Sequence, residues 1–427
     1  MRLSLSVFLF ALPLAAWAQT PLTGPGPSSP RASESAAPLT LNAALELALG
    51  ANPELSAAGR ELEALDATIT QAQARPNPEL SALIEDTRRE TRTTTLQLNQ
   101  PIELGGKRGA RIEAAERGRD AASLELDAKR AEIRAAVTAA FFDVLVAQER
   151  LRLAQASVEL AQRATGAASR RVIAGKVSPV EETRARVAEA AVRVEQAQAA
   201  SEVTTARRRL AATWGNSSPR FERAEGDPEA LPPLPAMADL NARLAASPNL
   251  LRATIEVDRR QSLAEVERSR SVPDMIVSLG GKRIEELDLN QAILGVSIPI
   301  PIFDRNQGNL LEALRRTDKA RDELSATGIR LSNELVQAHE RLNTARQEVA
   351  SLQRDILPGA QSAYDAATKG FELGKFSFLE VLDAQRTSFQ AKSQYLRALA
   401  EAHRSAAEID RILGTASTQS ITAPAAT

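Results

Sequence analysis

Cysteine is absent from the 427-residue chain and histidine nearly so, with two. Disulfides, thiol nucleophiles and cysteine-ligated metal centres are excluded, and a resident zinc, copper or haem site would have to rely on carboxylates almost alone. Aromatic residues make up only 3%, too few to fill a thick globular core, so the 43% hydrophobic content resides mainly in Ala, Leu and Val. Neither charge sign dominates: 53 Lys and Arg face 54 Asp and Glu, a net charge of -1. That balance removes any global electrostatic basis for holding nucleic acid. Beyond the N-terminus no apolar run approaches the ~20 residues of a membrane helix, so a bilayer could be crossed only by a β-barrel. What is present, Ala and Leu mixed with Glu, Arg and Gln, reads as long helices packed at close range.

The N-terminus carries an export address. Arg2 precedes an apolar run from Leu3 to Leu14, followed by Ala16-Trp17-Ala18 as small-x-small. This is the layout of a secretory signal peptide over residues 1–18, cleaved near Ala18. The run is too short for a membrane anchor and Pro13 interrupts it. Lipid attachment at a mature N-terminal Cys is ruled out for want of any Cys. Residues 19–38, rich in Pro, Ser, Gly and Ala, cannot bury a core and read as a disordered tether.

The rest is one unit written twice. At an offset of about 199 residues, Gly109 falls on Gly308, Gln148-Glu149 on Gln347-Glu348, Ala167-Ala168 on Ala366-Ala367, and Gly215 on Gly414. With small shifts Pro101 meets Pro299, Pro78 meets Pro273, and Asn52-Pro53 meets Ser247-Pro248. The repeats span residues 39–230 and 236–414, joined by a Pro-rich connector at 231–235, and a tail over 415–427 reads as disordered. Each repeat begins with a helix (about 41–74 and 239–270). A short alternating region follows, then a very long helix, a Gly-containing tip and a return helix. In the first long helix, 107–174, Ile133, Val137, Phe141, Val144, Leu151 and Val158 recur at the near-3.5 period of coiled-coil packing. Its counterpart meets Pro358, which predicts a kink or break.

The tips carry local signals. Gly175 suits the left-handed residue past a helix end; Ser178, Pro179 and Glu181 then read as a capping box with Pro at the first helical position. Gly374, Ser377 and Glu380 repeat the pattern. The alternating segments place Leu80, Ala82, Ile84, Leu96 and Leu98 on one side in the first repeat. In the second, Met275, Val277, Leu279, Ala292, Leu294, Val296 and Ile298 do the same. Such runs suit transmembrane strands, and three chains giving four each would close twelve strands with no free edge. The alternative is a small soluble sheet capping the helices; neither hairpin contains Phe, Trp or Tyr, so an aromatic girdle is missing apart from Phe303.

Signal peptide, duplicated helix–hairpin–helix units and paired tips together resemble the TolC-type outer-membrane efflux family, from about Leu39 to Gly414. QPIELGGKRGARIEAAE (Gln100–Glu116) and PIPIFDRNQGNLLEA (Pro299–Ala313) look like its CzcC branch, the outer-membrane components of cobalt–zinc–cadmium efflux systems. FELGKFSFLEVLDAQ (Phe371–Gln385) matches the family's second tip. The resemblance implies a mainly α fold with a small membrane β part. Three chains would form a homotrimeric α-barrel in the periplasm under a 12-stranded β-barrel in outer-membrane lipid. It also implies two partners: a periplasmic membrane-fusion adaptor and an inner-membrane proton-driven pump of the resistance–nodulation–division type. The adaptor would dock at Gly175, Lys176, Val177 and Ser178 and at Gly374, Lys375, Phe376 and Ser377. The family's D-V-L-D stretch at the lumen constriction corresponds to Glu380-Val381-Leu382-Asp383. Asp383 matches directly; Glu380 is longer and is also the capping-box residue.

No catalytic, cofactor or resident metal site is expected. His339 and His403 lack a ligand partner at helical spacing, Gly105-Gly106-Lys107 lacks the GxxxxGK[ST] spacing, and Arg207-Arg208-Arg209 reads as a solvated helix face. The expectation is a passive exit duct for divalent metal cations, driven by its partner pump. Drugs or secreted proteins are the alternative cargo within the family. A soluble periplasmic coiled-coil adaptor is the reading from another class.

Overall fold

The computed structural model describes residues 34, 37–227, 229–373 and 375–414. The signal peptide, most of the tether, Gly374 and the C-terminal tail lie outside the described residues.

The helices are α1 (Leu41–Ala51), α2 (Pro53–Gln73), α3 (Lys107–Ile173), α4 (Pro179–Ala212), α5 (Met237–Leu244), α6 (Pro248–Arg270), α7 (Gln307–Ser351), α8 (Leu357–Glu372) and α9 (Phe378–Leu413). The first helix of each repeat is two helices rather than the single one expected. Asn52 is the reason in repeat one. Its buried side chain accepts the Glu54 and Leu55 N–H groups at 2.8 and 3.0 Å, restarting the helix with Pro53 in its first turn. Its amide donates to the Thr213 carbonyl at 2.7 Å, tying the break to the end of α4. In repeat two the fully buried Ser247 accepts from Leu250 N–H ahead of Pro248.

The 67 residues of α3 run uninterrupted, roughly 100 Å at 1.5 Å per residue. Pro358 does not break the equivalent helix. The ladder widens to a π turn over Leu352–Ile356 and continues straight into α8. Shifting the hydrogen-bond register there relieves the clash between the proline ring and the carbonyl four residues back.

Toward one end α3 lies beside α2 and α6, and toward the other beside α4 and α9; α7 packs on α6 and α9. The cores sit at mid-length. Ile133, Val137, Phe141 and Val144 of α3 meet Ala44 and Ala48 of α1, Leu210 of α4, and Trp214 and Phe221 just after it. The second repeat repeats this with Leu331, Leu335, Leu342, Leu240 and Ile412. Arg411 hydrogen-bonds Glu408 on the rim of that core and holds its carboxyl below the usual carboxylate range. The near end of the expected tether is fastened. Glu34 is buried and accepts from Asn216 and from the Phe221 N–H at 2.9 Å, while Leu39 bridges Ala224.

Both hairpins join in one antiparallel sheet, β1 (Glu79–Glu85), β2 (Thr93–Ile102), β3 (Met275–Ile284) and β4 (Leu289–Ser297), in that order. The register lines up Leu80, Leu98, Leu279 and Leu294 in a single cross-strand row. Ala82, Leu96 and Ala292 form the next row toward the hairpin turns, and Val277 and Val296 the next away from them. This face is turned to the surroundings: Leu80 is 66% exposed and Leu294 79%. The opposite face holds Ser81, Gln97, Asn99 and Ser278. Gln97 donates to Asn99 at 2.8 Å, Asn99 to Ser81 at 3.3 Å and Ser278 to Asn99 at 2.8 Å. An exposed apolar face opposite a hydrogen-bonded polar network is the inverse of what a sheet turned to water on one side shows. At the first turn, Arg88 and Thr91 hydrogen-bond Asp86 and hold its carboxyl down to about 2.

Sheet and helices meet at a tight joint. Asp274 accepts from Lys107 Nζ at 2.7 Å and from Leu104 N–H at 3.2 Å, and Arg111 pairs with Glu103. The Asp274 contacts join the two repeats just below the strands, and the Arg111–Glu103 pair braces the first repeat at the same level.

Candidate functional site

The far end of the bundle carries both tips. In the first, Lys176 N–H reaches the Arg171 carbonyl and Gly175 N–H the Val172 carbonyl, each at 2.9 Å, with Gly175 at φ +68°. That is a Schellman close, and it requires the left-handed residue that glycine supplies. Ser178 accepts from Val180 N–H at 3.3 Å. The expected reciprocal bond from Glu181 does not form; its carboxylate lies 3.6 Å from Arg184 instead. The second tip does form the capping box, with Glu380 accepting from Ser377 N–H at 2.6 Å. Lys375 N–H bonds the Gly370 carbonyl at 2.8 Å, and the Phe376 ring lies against Gly370, where a Cβ would strike it.

The two tips are brought together. Arg171 stacks over the Phe371 ring at 4.4 Å and donates to the Phe371 carbonyl at 3.1 Å. Phe371 and Leu382 pack against Ala168 and Ala185 of the other repeat. Lys176, Ser178, Lys375 and Ser377 are exposed and Val177 half-buried; Gly374 lies outside the described residues. Ile173, Val180, Leu373 and Phe376 add an exposed apolar fringe.

Glu380 and Asp383 stand one turn apart on the exposed side of α9, with Val381 turned inward. Glu380 is engaged by its cap bond. Asp383 is exposed and makes no ion pair with another described residue.

Higher up, α3, α4 and α9 enclose a groove of about 1140 Å³ lined by Asp143, Arg150, Glu202, Arg209, Glu401 and Arg404, among others. Arg150 pairs with Glu202 at 2.7 Å, and Arg404 with Asp143 and Glu401, both at 2.8 Å. The Pro-rich connector wraps the other side: its Pro235 carbonyl meets His339 Nε2 at 3.1 Å, and Pro232 accepts from Arg346. Nothing in the sequence flagged this charged groove, since Arg404 and Asp143 are 261 residues apart. His403 stacks on Phe142 with ring centroids 3.4 Å apart. Among the described residues, no group of three or more His, Asp or Glu is placed to hold a metal ion, and no helix is long and apolar enough to cross a membrane.

Comparison with known proteins gives this arrangement its setting. The sequence model of the outer membrane efflux protein family matches residues 44–216 and 240–415, one block in each half of the chain. The chain belongs to the outer membrane efflux protein family. It is 52% identical over 381 residues to the cobalt-zinc-cadmium resistance protein CzcC of Cupriavidus metallidurans, covering 89% of this chain and 91% of that one. It is 28% identical to the nickel-cobalt-cadmium resistance protein NccC of Alcaligenes xylosoxydans, over 72% and 69% of the two chains. Among solved structures, CusC shares the fold with a TM-score of 0.76 at 19% identity, over 88% of this chain and 92% of that one. As an outer membrane efflux protein it belongs to the outer membrane and extends into the periplasm.

Proposed function

We propose that this efflux protein is the exit duct of a tripartite, proton-driven pump that expels divalent heavy-metal cations, cobalt, zinc and cadmium, and so confers resistance to them. The observation that carries this is the 52% identity along nearly the whole length of a cobalt-zinc-cadmium resistance protein. Three chains would assemble, because β1 and β4 are open edges and a four-stranded sheet cannot enclose a pore. Three sheets make twelve strands with every edge paired, the leucine row facing lipid and the Ser–Gln–Asn network facing the lumen. The charged groove would then lie on the tunnel wall, opposite the connector.

The tips would receive the periplasmic adaptor, which links the duct to an inner-membrane pump of the resistance–nodulation–division type. Supporting this are the exposed Lys176 and Lys375 beside the fringe of Ile173, Val180, Leu373 and Phe376, polar and apolar groups side by side at the two tips. Asp383, exposed near the tip and in no ion pair with another described residue, would give three carboxylates at the narrow end. In a low-dielectric constriction such a ring favours cations over anions. Glu380 is held by its cap bond and contributes less.

Two outcomes test the reading. A strain lacking the gene should become sensitive to zinc, cobalt and cadmium and regain resistance with the intact gene; sensitivity to hydrophobic drugs alone would keep the duct and replace the cargo. In planar bilayers, Asp383→Asn should lower the cation-over-anion permeability ratio by roughly threefold or more. An unchanged ratio would remove Asp383 from the constriction.

A further inference from the structure

The outward face of β4 continues past its last ladder pair, Ile276 with Ser297. Ala292, Leu294 and Val296 occupy alternate positions on that face, and Ile298, Ile300 and Ile302 keep the same parity beyond it. Ile300 is 80% exposed, and Phe303, which follows, 91%. The intervening Pro299 and Pro301 have no N–H to donate, so another strand cannot be laddered onto this stretch. Ile302 N–H turns back to the Ile300 carbonyl at 2.9 Å and ends the run.

We propose that residues 298–303 form a foot resting in the headgroup boundary of the inner, periplasm-facing leaflet of the outer membrane, with Phe303 as its aromatic anchor. The inference rests on reading the sheet as one part of a membrane barrel. Three observations support the placement. The run leads directly into α7, so it lies on the helix side of the sheet, away from the hairpin turns. It continues the apolar face that lipid would cover. The four strands contain no Phe, Tyr or Trp, the residues that usually settle a barrel at its interfaces, and Phe303 supplies one at the level where it is wanted. Arg305, exposed two residues on, can reach phosphate headgroups, while the neighbouring Asp304 carboxylate accepts the Asn306 N–H at 2.8 Å. The first repeat has no such foot, since Glu103 at that level is tied to Arg111.

The test uses the protein lacking residues 1–18, and with them Trp17, in vesicles of phosphatidylcholine brominated either near the headgroup or deep in the tails. Two reporters are compared, Phe303→Trp and Leu294→Trp, each against the background emission of the buried Trp214. The expected result is loss of emission from the Phe303→Trp reporter mainly with shallow bromine and from the Leu294→Trp reporter mainly with deep bromine. Quenching of the Leu294→Trp reporter alone would overturn the foot and leave the barrel standing, with Phe303 covered by a neighbouring subunit. Equal deep quenching of both would place Phe303 in the hydrocarbon and overturn the headgroup assignment. Quenching of neither would overturn the barrel reading and the foot together.

Discussion

Replacing Leu279 by arginine is expected to reduce the protein recovered in the outer-membrane fraction by at least tenfold, with metal resistance lost in parallel. Leu279 is the third member of the row Leu80–Leu98–Leu279–Leu294, at the middle of the sheet's apolar face. An arginine at the midplane of a barrel's lipid face costs about 2–4 kcal/mol, hence roughly 6–12 kcal/mol over the three subunits of the proposed assembly. The same change on a water-facing sheet would be harmless or even favourable, because Leu279 is already 62% exposed in the single chain. The substitution therefore separates the membrane barrel from the soluble cap, two readings that the alternation alone left open. Gln97→Arg, one residue from the row on the polar face, is the matched control and should leave membrane recovery near normal. Equal recovery of the two variants would overturn the assignment of the leucine row to lipid.

Much of this architecture was legible because its signals are local or periodic. The heptad-spaced residues of α3 announce a long packed helix, and Ile133, Val137, Phe141 and Val144 do form its buried seam. Gly175 and Ser377 act as the cap positions their residue types suggest. The departures come from three prolines whose effect depends on neighbours. Pro53 and Pro248 were absorbed into single helices, although Asn52 and Ser247 just before them are strong N-caps that restart the chain. Pro358 looked like a breaker, and a π turn absorbs it. Glu181 and Glu380 have the same spacing from their serines, yet only Glu380 closes the box. The difference lies in competition: Arg184 stands one turn from Glu181, whereas Asp383, a like charge, stands there beside Glu380. The charged groove and the Arg171–Phe371 contact were invisible, because each joins residues brought together only by the packing of one repeat on the other.

The conspicuous Gly105-Gly106 pair, which carries no phosphate-loop spacing, has a mechanical explanation that predicts unequal effects. Both residues are left-handed, at φ +70° and +74°. A Cβ on Gly105 would lie 2.7 Å from Val272 Cβ and 3.1 Å from the Ser269 carbonyl, whereas one on Gly106 would meet nothing within 4 Å. The left-handed conformation alone costs an alanine about 1–2 kcal/mol, so Gly106→Ala should lower stability by that much. Gly105→Ala adds crowding between the end of α6 and the start of α3, a further ~1–3 kcal/mol. The joint has little room to yield, since Asp274 already binds Leu104 N–H and Lys107, the residues that flank the glycine pair. Denaturation of the purified protein in detergent should place Gly105→Ala clearly below Gly106→Ala. Asparagine, which tolerates the left-handed region, should restore stability at 106 and fail to restore it at 105. Equal losses at the two positions, or rescue by asparagine at both, would mean that backbone conformation alone governs the joint. The close approach of Val272 would then have no energetic weight, and the link from the sheet to α3 would rest on the Asp274 and Glu103 contacts.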